Sequence, residues 1–211
     1  MPLFKIESTG TESGWAIWFI EESEQELAFM ASEQCPEEII SLQKRLEWLA
    51  GRVLIKKLVE HHGLTYLGIH KDEFGKPFLR DLSHHISLSH SYPHVAAQLD
   101  LNQSVGIDLE QPKEKLLSIA HRVLSPIELN SAANDLKKNC VYWCAKEALY
   151  KIYGKRGLHF SNQLNIEPFE MSLAGLLKGT ITVKEQEQSV DLIYRIERDF
   201  ILVYTKTIQN K

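Results

Sequence analysis

At 211 residues the chain is long enough to bury a sizeable core, as one domain or two small ones. Its apolar share of 44% and charged share of 25% are ordinary globular values, and a net charge of −4 excludes a protein built to coat nucleic acid. Three cysteines, Cys35, Cys140 and Cys144, are too few and too unevenly placed for a disulfide framework. No basic region followed by an apolar run opens the chain, so no signal peptide is expected. No apolar run approaches the roughly 18 residues that would span a bilayer. The expectation is a soluble cytoplasmic protein with neither a nucleic-acid nor a membrane partner.

The first clear element is the apolar run Trp15–Ile20 after Gly14, which reads as a strand. Residues 21–34 are acidic, helix-prone and solvated. Pro36 is expected to open a longer helix, with Glu37 and Glu38 in its first turn and Gly63 just past its end. Leu42, Leu46, Leu49 and Val53 follow the helical period on one face. Arg45, Arg52 and Lys56 fall on another, the latter two each within about 20° of Arg45 at 100° per residue. That stripe is either solvated surface or the lining of a multiply charged phosphate site.

Asp72-Glu-Phe-Gly-Lys-Pro-Phe78 has the Gly and Pro of a tight turn, with Lys76 at its tip. Residues 86–91, 95–99 and 105–110 read as strands, the last two joined by a hairpin at Asp100–Gln103. His84, His85, His90 and His94 crowd this region, but their spacing fits no zinc site and no Cys accompanies them. His90, between Ser89 and Ser91, suits hydrogen bonding to phosphate oxygens instead. Ser125-Pro-Ile-Glu128 is a capping box that starts a helix. A key helix is expected from about Asn139 to Tyr153, stopped by Gly154 and followed by the basic turn Lys155-Arg156-Gly157. Cys140 and Cys144, one turn apart, read as buried helix residues rather than metal ligands. The tail alternates as three antiparallel strands at 180–183, 190–196 and 200–205. Helix-then-strand order thus occurs twice, which gives two α+β halves: residues 1–103 and 104–211.

Two stretches carry the chemistry. In Val105-Gly-Ile-Asp-Leu-Glu110, Asp108 and Glu110 stand at i,i+2, on one side of a strand. In Tyr142-Trp-Cys-Ala-Lys-Glu-Ala-Leu-Tyr-Lys151, Trp143, Glu147 and Lys151 stack one turn apart. By itself the Glu147–Lys151 pair is an ordinary surface i,i+4 pair. With Asp108 and Glu110 it becomes a three-carboxylate set for a hard cation such as Mg²⁺, which often completes its shell with substrate phosphates. Lys151 would stabilise charge beside Glu147, a possible base. From the residues alone, this describes phosphoryl-type transfer from a polyphosphorylated donor in a cleft where the halves meet. The acceptor cannot be read this way.

These motifs resemble those of the Sfp-type 4′-phosphopantetheinyl transferase superfamily. The resemblance rests on Ser89-His90-Ser91, the Val105–Glu110 block and Trp143-Cys-Ala-Lys-Glu-Ala-Leu-Tyr-Lys151, supported by Leu49-Ala-Gly-Arg52 and Gly75-Lys-Pro77. The matched blocks run from about residue 45 to 158 in the family's order and spacing. It implies a monomeric α+β pseudo-dimer of two similar halves in one chain, each a helix on a small antiparallel sheet, with the active site between them. The implied reaction moves phosphopantetheine from coenzyme A to a serine of an apo acyl or peptidyl carrier protein, with Mg²⁺ as cofactor, and leaves 3′,5′-ADP.

By the same resemblance Asp108, Glu110 and Glu147 are metal ligands, and Glu147 deprotonates the carrier serine. Lys151 contacts the phosphates and protonates the leaving group, with Lys146 beside it. Ser89, His90 and Lys76 bind the nucleotide end of coenzyme A, in the N-terminal half. Some members bind the 3′-phosphate with an Arg four residues before the helix Gly, where this chain has Glu47. Arg52, one residue after Gly51, is then its expected substitute. Two other classes fit less well: an inactive coenzyme A-binding regulator of the same fold, and a non-enzymatic anion-binding module. The carrier, its pathway and any replacement of Mg²⁺ by Mn²⁺ are not written in the sequence.

Overall fold

The computed structural model describes residues 3–207 and the side chains of residues 5–207. The fold is α+β, with two antiparallel sheets, and it divides into two compact units. The first reaches Val105 and includes Thr207; the second is Gly106–Lys206.

In the first unit, strands β1 (Leu3–Gly10) and β2 (Ser13–Phe19) form a hairpin, followed by helices α1 (Glu24–Ala31) and α2 (Leu42–His61). Four strands follow: β3 (Ile69–Lys71), β4 (Pro77–Leu79), β5 (His85–Ser91) and β6 (His94–Asp100). The sheet order is β1-β2-β6-β5-β4-β3. Ser23 caps α1 in a capping box with Glu26. Leu49, Val53, Leu54 and Leu58 of α2 are fully buried with Ala16, Ala97 and Leu99 of the sheet. They lie at i, i+4, i+5 and i+9, the spacing of one helix face.

Helix α2 begins later than Pro36. Residues 36–41 are not helical: the Ile39 N–H closes a single turn on the Pro36 carbonyl. Arg45 reaches back to the Pro36 and Ile39 carbonyls, at 3.5 and 3.0 Å. That side chain satisfies the turn without a helix, and α2 starts with Ser41 as N-cap.

The second unit opens with β7 (Ile107–Glu110), then α3 (Lys115–Val123), α4 (Pro126–Ala132), α5 (Leu136–Tyr153) and the short α6 (Phe160–Gln163). Strands β8 (Leu164–Ile166), β9 (Ala174–Val183), β10 (Gln186–Ile196) and β11 (Ile201–Thr205) complete it, in sheet order β7-β11-β10-β9-β8. Lys184 and Glu185, both at positive φ, make the two-residue turn of the β9–β10 hairpin. Asp135 caps α5 and Gly154, at φ 69°, ends it. Cys140, Cys144, Ala145, Ala148 and Leu149 of α5 are buried against the sheet.

The hairpin expected at Asp100–Gln103 does not form. Strand β6 lies between β2 and β5, whereas β7 is an edge strand of the other sheet, paired with β11. The Asp100 carboxylate accepts the N–H groups of Asn102 and Gln103, at 2.8 and 3.2 Å. That turn supplies the hydrogen bonds a returning strand would have made, so 101–104 links two sheets. Among the described residues, no helix is long and apolar enough to cross a membrane.

Candidate active site

The site in the second unit depends on how closely α5 approaches β7. A Cβ built on Gly106 would lie 2.0 Å from the Ala148 carbonyl oxygen, so only glycine allows this contact. The Gly106 N–H donates to Thr205 Oγ1 at 2.8 Å, and Thr205 N–H returns a bond to the Gly106 carbonyl at 3.0 Å. The start of β7 is thereby fixed between β11 and the helix.

Two and four residues on, Asp108 and Glu110 are paired with Val203 and Ile201 of β11. Cross-strand partners share a face, and Val203 and Ile201 belong to the core under α5. Both carboxylates therefore stand on the α5 side of the sheet. Asp108 is 6% exposed and receives Lys151 Nζ at 2.7 Å; the same ammonium donates to the Ile107 carbonyl at 2.8 Å. Glu147, one turn before Lys151, is pushed up to about 7 by burial and by the charge of Asp108, partly offset by Lys151, with Glu110 adding to the rise. The structure thus brings Asp108, Glu110, Glu147 and Lys151 together.

Among the described residues, no group of three or more His, Cys, Asp or Glu side chains forms a ready-made metal cage. The donor chemistry nevertheless suits a hard divalent cation. Burial first, and then the negative charge of Asp108 and Glu110, raises Glu147, and a divalent cation beside these carboxylates would offset that charge.

Lys146 is placed elsewhere. It is 0% exposed, and its ammonium meets the Val123 and Phe160 carbonyls at 2.9 Å each and Glu128 Oε2 at 2.6 Å. Glu128, 1% exposed, also takes the N–H groups of Ser125 and Ile166, at 2.6 and 2.8 Å. The capping role read for Glu128 holds, and the carboxylate has a second function as the counter-ion of Lys146. Lys146 is turned into the interior, away from Lys151.

In the first unit, His90 and Ser89 alternate on β5, so they project to opposite faces of the sheet. His90 shares the α2 face with Ile86 and Leu88, and its Nδ1 lies 3.2 Å from Glu47 Oε2. Lys76 follows a turn in which Asp72 accepts the Phe74 and Lys76 N–H groups, and its ammonium donates to Ser104 Oγ at 2.9 Å. Burial lowers the Lys76 pKa, opposed by Asp72.

The basic stripe of α2 faces α1. Arg45 is bound to Glu24, and Lys56 to the Met30 carbonyl and Ser32 Oγ. Arg52 lies 3.9 Å over the Trp48 ring and 3.6 Å from Glu33. Five residues past Glu47, Arg52 stands about 140° round the helix, so the structure does not bring it to His90. The sequence reading missed Lys44, which meets Glu47 at 2.6 Å. An i,i+3 Lys–Glu pair is too common a surface signal to stand out.

Residues 104–204 match the model of the 4′-phosphopantetheinyl transferase superfamily. Three proteins of Bacillus subtilis are similar over 116 residues: a 4′-phosphopantetheinyl transferase at 33% identity, the 4′-phosphopantetheinyl transferase Sfp at 32% and the 4′-phosphopantetheinyl transferase ffp at 34%. Each match covers 51% of this chain and 51% of the relative, so the chain matches about half the length of these curated proteins. Residues 104–204, which hold Asp108, Glu110, Glu147 and Lys151, are thus similar to the 4′-phosphopantetheinyl transferase superfamily.

Proposed function

We propose that this protein transfers the 4′-phosphopantetheine group of coenzyme A to a serine of an apo acyl or peptidyl carrier protein and releases 3′,5′-ADP. The observation that carries the reading is the close approach of α5 to β7 at Gly106, which puts Glu147 and Lys151 beside Asp108 and Glu110. The similarity of residues 104–204 to the family supports it.

In this reading Asp108, Glu110 and Glu147 hold Mg²⁺, which when bound neutralises charge on the diphosphate of coenzyme A. Glu147 takes the proton of the carrier serine as its oxygen bonds to the phosphorus that bears the pantetheine arm. The bond from that phosphorus to the oxygen bridging it to the other phosphate breaks. Lys151 stabilises the departing nucleotide phosphate and supplies the compensating proton. Lys76, Ser89 and His90 are assigned to the nucleotide end of coenzyme A. Arg52 is the remaining candidate for the 3′-phosphate, against its place over Trp48. We read the protein as monomeric and cytoplasmic, without a nucleic-acid or membrane partner.

Incubation with coenzyme A, Mg²⁺ and a panel of apo carrier proteins, read by intact mass, tests the proposal. A phosphopantetheine adduct on one carrier supports it. Coenzyme A binding with no adduct on any carrier would favour an inactive regulator.

A further inference from the structure

Lys56, the last cation of the α2 stripe, stands at the wall of a cavity of about 480 Å³. The cavity lies within the first unit, between the end of α1, α2 and residues 66–69. Small-molecule sites commonly enclose roughly 300–1,000 Å³. Two positive-φ residues shape it: Ser32, at φ 57°, ends α1, and Gly68, at φ 102°, bends the facing segment.

Its wall carries two cations, Lys56 and Arg80, and one carboxylate, Glu33. Glu33 is already engaged. Tyr66 Oη donates to its Oε1 at 3.1 Å, and Arg52 Nε lies 3.6 Å from its Oε2. Burial, then the charge and hydrogen bond of Glu33, push the Tyr66 phenol up, against the opposing charges of Arg52 and Arg80. Tyr66 therefore stays a donor to Glu33. Lys56 donates to neutral acceptors, the Met30 carbonyl at 3.2 Å and Ser32 Oγ at 3.3 Å. Arg80 is exposed, and its stem lies along Gly68: a Cβ there would stand 3.4 Å from Cδ and 3.5 Å from Nε. Its own N–H donates to the Gly68 carbonyl at 3.0 Å. Among the described residues, neither Lys56 nor Arg80 has a carboxylate partner.

In a chain of net charge −4, two cations without counter-ions at one cavity are a local excess that favours an anion. Lys56 retains one of its three donors, and the Arg80 fork offers two parallel N–H groups; a carboxylate can accept all of these. Ala31, Leu67 and Ile69 make the rest of the wall partly apolar. We infer that this cavity is a second ligand site, which takes a small organic carboxylate, with Lys56 and Arg80 on its head and Ala31, Leu67 and Ile69 along its apolar body. The inference is independent of the transferase reading. The site lies on the α1 side of α2, away from the flank where Glu47 meets His90.

The test is titration of the full chain with hexanoate, read by backbone amide NMR, with acetate, hexylamine and inorganic phosphate as comparison probes. Hexanoate is expected to shift the Ser32, Leu67 and Gly68 amides saturably. Acetate, four methylenes shorter, should bind at least about ten-fold more weakly, and hexylamine should not bind there. Arg80→Gln should weaken hexanoate by about ten-fold or more, the loss of a charge-assisted hydrogen bond, with the melting temperature unchanged. Coenzyme A should leave the hexanoate shifts in place. Hexanoate that shifts none of these amides, or that binds Arg80→Gln as tightly as the wild type, overturns the inference. Hexylamine binding at the same amides also overturns it, because the cations would then select nothing. Phosphate binding more tightly than hexanoate overturns the carboxylate class, and displacement of hexanoate by coenzyme A overturns the separate site. None of these outcomes touches the transfer reaction, which the carrier-protein assay decides.

Discussion

Lys151 Nζ stands 2.7 Å from Asp108 Oδ1 and 2.8 Å from the Ile107 carbonyl oxygen, so a single ammonium ties α5 to both the side chain and the backbone of β7. The same lysine lies one turn from Glu147, whose raised pKa it partly offsets. Its charge therefore acts on both carboxylates in the ligand-free protein.

Glu147→Gln and Lys151→Ala should separate accordingly. Glu147→Gln keeps the side-chain shape but cannot accept a proton, and kcat should fall about 10²–10⁴-fold with a smaller change in coenzyme A affinity. Lys151→Ala should lower both kcat and affinity, since it acts on ground and transition states alike. Steady-state kinetics with separately measured binding decides. A normal kcat in Glu147→Gln would remove the base assignment.

Mg²⁺ should stabilise the wild-type protein against heat, because three neighbouring carboxylates repel one another without it. The melting temperature is expected to rise with Mg²⁺ over an EDTA control. In Asp108→Ala the rise should be much smaller, while the protein stays folded. Equal Mg²⁺ shifts in the two proteins would place the cation elsewhere.

The Lys146–Glu128 pair is a stability element. Removing one partner leaves an uncompensated buried charge, so Lys146→Met should cost about 3–5 kcal/mol. Glu128→Leu should cost at least as much, since the Ser125 and Ile166 N–H groups lose their acceptor too. Denaturant unfolding of both single variants and the double variant measures the coupling. Additive losses would show that the contact carries little energy of its own.

Gly106→Ala should be among the most damaging single-methyl changes in the chain. The added carbon meets backbone, not a flexible side chain, so α5 and β7 must part. A loss of at least about 3 kcal/mol is expected, with transfer activity reduced even where the variant folds. A melting temperature and rate near those of the wild type would refute the close approach.

Acid should weaken the first unit through His62. Burial lowers its pKa, opposed by a hydrogen bond to the Thr11 carbonyl, and the nearby His61 and His84 lower it further, with Glu12 acting the other way. The unfolded chain then binds a proton near the ordinary 6.5 that the folded chain takes only at lower pH. Stability is therefore fully present above 6.5 and declines as pH falls below it. His62→Asn should flatten the melting temperature measured from pH 7.5 down to 5.5. Parallel curves for the two proteins would assign the acid loss to other groups.

Much of this protein is local in origin and legible from residues. Periodicity marked Leu46, Leu49 and Val53 in the buried face of α2, though Leu42 in the same series is exposed; Ser125 and Glu128 marked a helix start, Gly154 a helix stop, and alternation marked the C-terminal meander. The i,i+2 spacing of Asp108 and Glu110 and the i,i+4 spacing of Glu147 and Lys151 follow from strand and helix geometry alone. Strands β3 and β4, three residues each, are too short to show a period. Which strand β7 joins was not local at all: pairing with β11 links residues far apart in sequence, and no turn signal encodes it. The direction of each charged side chain was equally hidden. Lys146 and Lys151 are five residues apart on one helix, yet one is sealed against Glu128 and the other reaches Asp108. Arg52 and Glu47 likewise divide between two flanks of α2. Sequence spacing sets the angle at which a side chain leaves its helix. What that angle meets is decided by the packing of distant segments, and that fixed which cations became structural and which stand at the site.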